Sequence, residues 1–540
     1  MYYVVVPVHH IMASDKFRLR TTPMHYQLLA FAKIPFTKRA SVAAATALTL
    51  FAAGAQTVPA WAGTQACRVE GLPNELQCGV IQRPLDPANP GGVQIDVHYL
   101  VVPAMARNKQ PDPVLMLAGG PGQSAIGVAP AMLSRLTRLN YRRDLVFIDQ
   151  RGTGKSAPLQ CEDDSKLPLV EALDPAAQTR RLEQCRAALM RLPHGDLRFY
   201  TTTIGMQDFE AVRKHLGAPQ WNLVGASYGT RAALEYQRQF PDRVRRTVLD
   251  GVAPPDMVLP ASFSTDGQAA LDASLLACEQ DAACTAQYPQ LRQRWATLLQ
   301  SLPRQVSVNH PVTGLPERFT LTRDLLLRSV RTPLYVPTLT AALPAAIDAA
   351  ASQGRFEGLL GLAGAVGNRK AMRVAMGMHF SVVCAEDVPR LDAASDKPGV
   401  DFGSADASFY AQACQNWPRG VVPAAFYKVG PTRSPVMVLS GGADPATPPR
   451  HGERVAQALG AQDTSLVQHV VVPQAGHGVA AVGCMNEVLF RFIDAKQAST
   501  ALPQDASCAT RIPRPSVFVP AQPSVPGASA PLASQGVGKP

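Results

Sequence analysis

Gly225-Ala226-Ser227-Tyr228-Gly229 constrains this chain more than any other stretch. It follows the apolar run Trp221-Asn222-Leu223-Val224 and opens a helix-like stretch, Thr230–Phe240. A serine placed between a strand and a helix sits on a sharp turn. Its backbone is strained there, and small residues two positions either side relieve the crowding. The turn lifts the hydroxyl out above the sheet.

The rest of the chain supplies strands for such a sheet. Val114–Ala118, Leu145–Asp149, Thr247–Asp250, Val436–Ser440 and Val467–Val472 are further short apolar runs, followed by helix-like segments. Continuous apolar runs of this length suit a parallel sheet buried on both faces. Strands alternating with helices predict an α/β doubly wound fold. Gln94–Val102 alternates less cleanly and is expected to pair antiparallel, at an edge, with the segment near Val80. The rhythm stops after Pro254-Pro255. From 257 to 430 the chain reads as helices: Gly267–Glu279, Tyr288–Ser301, Thr322–Ser329, Thr338–Gln353 and Phe356–Gly364. Strand signals resume at Pro435. Residues 63–256 and 431–511 are therefore expected to form one α/β core. Residues 257–430 are expected to be a helical cap inserted over the strands' carboxyl ends, where ligands bind. Residues 512–540, rich in Pro, Ala and Ser, read as a disordered tail.

A serine hydroxyl is a weak nucleophile without a base, and the base needs an orienting carboxylate. On this architecture the chain order is Ser, then acid, then His. Pro435–Ser440 leads into Gly441-Gly442-Ala443-Asp444, and Val467–Val472 leads into Gln474-Ala475-Gly476-His477-Gly478. Ser227, Asp444 and His477 are the candidate triad. His215, expected in a helix, and His469, expected inside a strand, are less well placed, as are His310, His379 and His451. A tetrahedral intermediate also needs backbone donors aimed at its oxygen. One is expected from the Tyr228 N–H. The other is expected from Gly119 or Gly120, in Gly119-Gly120-Pro121-Gly122, with Gly120 preferred. Asp149–Ser156 looks like a phosphate loop, but G-x-x-x-x-G-K-S needs Gly where Asp149 stands. It is read as a structural turn beside the site.

Gly119-Gly120-Pro121-Gly122, Asp149-Gln150-Arg151-Gly152-x-Gly154-x-Ser156 and Gly225-x-Ser227-Tyr228-Gly229 together resemble the proline iminopeptidase and tripeptidyl aminopeptidase branch of the α/β-hydrolases. The Asp444 and His477 loops, with Cys484 just after, resemble the C-terminal region of the secreted tripeptidyl aminopeptidases. The resemblance runs from near residue 65 to near residue 510. Ala118 stands where the iminopeptidases commonly have His. The resemblance implies an α/β-hydrolase fold and a serine exopeptidase that removes amino acids or short peptides, tripeptides or Pro-containing ones among them, from free N-termini. An aminopeptidase must also hold an ammonium group, which requires a carboxylate. Glu386 and Asp387, where the cap returns to the sheet, are the candidates. Asp208 and Glu210, on a predicted helix, are expected to be structural.

The formal charge is +11. Residues 1–62 hold six Lys or Arg against one acid, Asp15, and the remaining excess is spread with no dense basic block. That argues against a nucleic-acid partner. Lys38-Arg39, the apolar run Ala40–Ala55 and Ala60-Trp61-Ala62 form the three parts of a secretory signal, with Met12 or Met24 as alternative starts. The apolar run is short for a membrane span, and no Cys follows it to carry a lipid. An exported protein, periplasmic or secreted, with no membrane anchor after signal cleavage, is expected. All ten cysteines lie beyond Ala62, which suggests disulfides. Pairing of neighbours is the simplest arrangement. No C-x-x-C or zinc-spaced Cys/His cluster occurs, so neither metal nor cofactor is expected. An esterase or lactonase on the same scaffold is the alternative function, because the triad serves any acyl transfer. A non-catalytic binding protein is a third reading, against which a complete Ser/Asp/His set argues.

Overall fold

The apolar runs pair as their composition demands. The computed structural model describes residues 63–519 apart from 311 and 368–372. The proposed secretory signal therefore lies outside the described residues. The strands in chain order are β1 (Thr64–Cys67), β2 (Leu76–Pro84), β3 (Gln94–Val102), β4 (Val114–Leu117), β5 (Leu145–Ile148), β6 (Trp221–Ala226), β7 (Val244–Asp250), β8 (Arg304–Asn309), β9 (Pro316–Leu321), β10 (Val436–Gly441) and β11 (Val467–Val472). Among the described residues, nine form one sheet in the order β1-β2-β3-β5-β4-β6-β7-β10-β11. From β5 to β11 every pair is parallel. The other edge is antiparallel, with Val80 opposite His98 as expected.

Side chains explain why β4 and β10 read as unbroken apolar runs. Leu115 and Leu117 enter one hydrophobic cluster, and Val114 and Met116 enter the other, on the opposite face. Val436 and Val438 divide from Met437 and Leu439 in the same way. Each such side chain contributes about 1.5–3 kcal/mol by leaving water. A strand with cover on both faces has no position at which a polar residue is cheap.

The chain leaves the sheet after Asp250 and rejoins it at Val436. Between them lie helices Leu259–Gln280, Leu291–Gln300, Arg323–Leu334, Leu343–Gln353, Glu357–Gly367, Met376–Glu386 and Ala405–Ala413. They enclose a separate core that includes Leu271, Trp295, Leu327, Ile347 and Phe356. Two features differ from the sequence reading, one in the all-helical insertion and one in the tail. β8 and β9 form an antiparallel hairpin inside the insertion, burying Val306, Val308, Phe319 and Leu321. The segment 512–519, expected to be disordered, is ordered against this insertion. The Phe518 N–H donates to the Ala341 carbonyl at 2.9 Å, and the Tyr288 hydroxyl donates to the Phe518 carbonyl at 2.8 Å. Val517 packs on the inserted core. One apolar side chain on the inserted core and two hydrogen bonds, one of them from a side chain, hold a stretch whose prolines already favour extension. Residues 520–540 lie outside the described residues.

Disulfides join Cys67–Cys78, Cys161–Cys185, Cys278–Cys284, Cys384–Cys414 and Cys484–Cys508. Each cysteine pairs with its sequence neighbour. Among the described residues no helix is long and apolar enough to cross a membrane.

Candidate active site

Ser227 joins β6 to the helix Tyr228–Gln239 with φ 56° and ψ −126°. A side chain with a Cβ occupies that region only at a cost of about 1–3 kcal/mol. The neighbours make room. A Cβ on Gly225 would meet the Gly229 carbonyl, and one on Gly229 would meet the Leu117 carbonyl of β4. The strain leaves the serine half-buried at the sheet's carboxyl edge, with the Tyr228 N–H at the open first turn of a helix. The Gly119–Gly122 loop passes beside it. A Cβ on Gly119 would lie 3.2 Å from the Ser227 Cβ, and Gly120 has φ 111°.

β10 and β11 deliver the other two candidates. The His477 Nδ1–H donates to Asp444 Oδ2 at 2.8 Å. The Asp444 side chain is fully buried, and that of His477 is 19% exposed. Asp444 Oδ1 accepts the Ala446 and Thr447 amides, and Oδ2 also accepts the Thr447 hydroxyl at 2.7 Å. Burial opposes charge on Asp444. The His477 charge and these bonds outweigh it and hold the carboxyl below its usual range. Burial likewise opposes protonation of His477, but the charge and hydrogen bond of Asp444, with the charge of Asp250, raise it above the usual imidazole value. Ser227 Oγ makes no hydrogen bond to His477 among the described residues. Such contacts in unliganded sites tighten when substrate arrives. The inserted segment lies directly over the histidine. The His477 N–H donates to the Tyr335 carbonyl at 3.0 Å, and the two rings meet edge-on at 5.1 Å.

The comparisons with known proteins agree with this frame. An alpha/beta hydrolase fold family matches residues 112–323, and a TAP-like protein family matches 400–528. The chain has the α/β-hydrolase fold. The chain is similar to the tripeptidyl aminopeptidase of Streptomyces coelicolor, at 30% identity over 203 residues. That match covers 34% of this chain and only 36% of the relative. It is also similar to the serine protease Hip1 of Mycobacterium tuberculosis, at 24% identity over 480 residues, covering 81% of this chain and 88% of that one. The proline iminopeptidase of Arabidopsis thaliana is 30% identical over 187 residues, 33% of this chain and 38% of that one.

Glu386 and Asp387 do not face a cleft. Both are fully buried, which corrects their expected role in holding a substrate ammonium. Asp387 takes both terminal nitrogens of the buried Arg231, at 3.0 and 3.1 Å. Glu386 accepts the Thr202 N–H at 2.7 Å and the Thr202 hydroxyl at 2.9 Å. Because Thr202 spends its only hydroxyl proton there, the Tyr228 hydroxyl donates to Thr202 at 2.6 Å, and Gln150 donates to Tyr228 at 3.1 Å. Burial pushes the Glu386 carboxyl up to about 7, against the pull of Arg231 and Thr202. The pair thus supports the elbow residue Tyr228 from beneath. Removing one partner of such a buried network leaves an unpaired charge.

Other residues of the sequence reading find structural places. Asp149 accepts from the Ser124 hydroxyl at 2.6 Å and from the Ile126 amide at 3.1 Å, bracing the Gly119–Gly122 loop. Its carboxylate packs against Gly154, where a Cβ would collide with it. Arg151 pairs with the buried Asp208, and Arg213 with Glu210. Among the described residues no group of three His, Cys, Asp or Glu side chains is gathered for a metal. Sequence reasoning passed over Thr447 and set His379 aside among the less well placed histidines. The spacing Asp444-x-x-Thr447 is the detectable signal of a carboxylate capping the amides that follow it. His379 gave no local signal. It lies on the helix Met376–Glu386 and donates Nδ1–H to the Pro121 carbonyl at 3.1 Å, while Nε2 accepts the Tyr410 hydroxyl at 2.8 Å. Burial keeps it neutral by lowering its pKa.

Proposed function

We propose that this α/β-hydrolase is an exported serine exopeptidase, an aminopeptidase that releases amino acids or short peptides from free N-termini. Ser227 Oγ attacks the scissile carbonyl, and His477 Nε2 takes its proton. Asp444 keeps the imidazole oriented through Nδ1 and stabilises its charged form. The Tyr228 and Gly120 N–H groups receive the developing oxyanion. His477 returns the proton to the leaving amine, and water then releases the acyl group by the same relay in reverse.

The observation that carries this reading is the 2.8 Å bond between His477 and a sealed Asp444, beside a serine held at φ 56°. The peptidase names of the relatives, the Streptomyces and Mycobacterium proteins among them, support a peptide substrate. Five disulfides, and no free cysteine among the described residues, support export into an oxidising compartment. A second reading, an esterase, gains from the commitment of Glu386 and Asp387 to Arg231 and Thr202, because a neutral substrate needs no cleft carboxylate.

The deciding experiment assays the purified protein on aminoacyl and tripeptidyl amides with free and acetylated N-termini, alongside short acyl esters. The aminopeptidase cleaves the free amides and loses them on acetylation. Ester turnover with no amide cleavage selects the esterase.

A further inference from the structure

The nucleophile and the base arrive on loops far apart in sequence, and one residue holds both. Asp250 ends β7, between the strand that carries Ser227 and the strand that leads to Asp444. Its main-chain carbonyl accepts the Ser227 N–H at 2.9 Å. Its carboxylate accepts the Val479 N–H at 2.7 Å and the Ala480 N–H at 2.9 Å, just beyond His477. Gly251, next in the chain at φ 68°, lies so close that a Cβ there would sit 2.9 Å from the Thr447 hydroxyl and 3.4 Å from His477 Cε1. We propose that Asp250 is a positioning residue of this site: its carbonyl sets the elbow, its carboxylate sets the histidine loop, and its negative charge is the second one the imidazolium sees.

The inference rests on the serine mechanism proposed above and adds a residue that touches no substrate. Two buried carboxylates facing one imidazole would normally repel, and only the nearer, Asp444, is hydrogen-bonded to the ring. Asp250 spends both oxygens on backbone amides instead. These bonds favour its ionised form and fix its distance from the ring. The groups around His477 are Asp444 and Thr447 after β10, Asp250 at the end of β7, and Tyr335 from the insertion, with Arg331 near that tyrosine. Asp444 and Asp250 are the negative members, and both raise the imidazole. Burial pushes the Asp250 carboxyl up, the two amides and His477 pull it down, Asp444 adds to the push, and the balance leaves it above its usual value.

The test follows the rate of Ser227 labelling by a fluorophosphonate against pH, which needs no knowledge of the substrate. The wild-type rate falls on acidification as His477 takes up its proton. Asp250→Asn removes the charge at nearly constant size, and Asp250→Ser removes it with a smaller side chain should the asparagine distort the loop. Either folded variant is expected to shift the acid limb downward by about one pH unit, because the imidazole loses a stabilising charge. A limb that stays in place, or moves upward, overturns the inference even if the plateau rate falls, since a merely structural residue would change only the plateau. Absence of labelling in the wild type would instead sink the serine mechanism.

Discussion

Asp444 accepts four hydrogen bonds with its two oxygens, so its position leaves it little freedom. Asp444→Asn is expected to lower turnover about 10⁴-fold, because the amide would present the wrong partner to Nδ1. Ser227→Ala is expected to abolish labelling and turnover while circular dichroism and the melting curve stay as in the wild type. The pH profile should place the acid limb of activity above 6.5, because the imidazole is raised in the folded protein. The same shifts act on stability with opposite edges. Asp444, depressed on folding, contributes above its unfolded value of 3.8 and loses that contribution as pH falls through its folded value. His477, raised on folding, contributes fully below 6.5 and loses it as pH rises through its folded value. Urea midpoints of wild type and Asp444→Asn should therefore differ most between those limits, converge as pH falls through the folded value of Asp444, and keep a smaller difference above the folded value of His477, where the Thr447 bonds to Asp444 remain. Ser227, Asp444 and His477 were legible as candidates because each follows a strand signal within a glycine-containing loop. Asp250 was not, because its partners Val479 and Ala480 lie 229 and 230 residues away. Glu386 and Asp387 were misread for a related reason. A carboxylate next to a cap boundary looks available until the arginine that neutralises it, Arg231, is found 156 residues upstream of Asp387.

The elements differ in how plainly their residues announced them. β4, β5, β6 and β10 were readable because cover on both faces leaves them almost wholly apolar, with Asn222 in β6 and Ser440 in β10 as the polar members. β8 was not, because only Val306 and Val308 turn inward and the rest of Arg304–Asn309 is exposed. The helix Met376–Glu386 also reaches further than its sequence suggests. Ala375, just before it, donates to the Gly122 carbonyl at 2.9 Å, and His379 donates to Pro121, so the insertion braces the Gly119–Gly122 loop. His379→Phe keeps an aromatic side chain, somewhat larger, and removes both the donor to Pro121 and the acceptor of Tyr410. It is expected to lower kcat about tenfold with KM little changed, as a loop displaced by a fraction of an ångström would. Steady-state kinetics read the split. Gly229→Ala tests the crossing of elbow helix and β4. With no room for a methyl beside the Leu117 carbonyl, it should cost about 1–3 kcal/mol in a denaturant titration.

At the scale of the molecule, core and insertion meet at Tyr335 on His477, at His379 on Pro121 and along the segment 512–519. The last of these runs from the core disulfide Cys484–Cys508 to Ala341 and Tyr288. A chain ending at Arg511 should keep the sheet and melt at a lower temperature, with earlier proteolysis inside 257–430. The disulfides staple only nearby stretches, with separations of 11, 24, 6, 30 and 24 residues. No cysteine waits for a partner across an intervening one. A chain threaded from its amino end into an oxidant would acquire the native set one link at a time, in the order of synthesis. Nothing would need to be undone, so hosts lacking a shuffling enzyme should yield as much correctly linked protein as hosts that possess one.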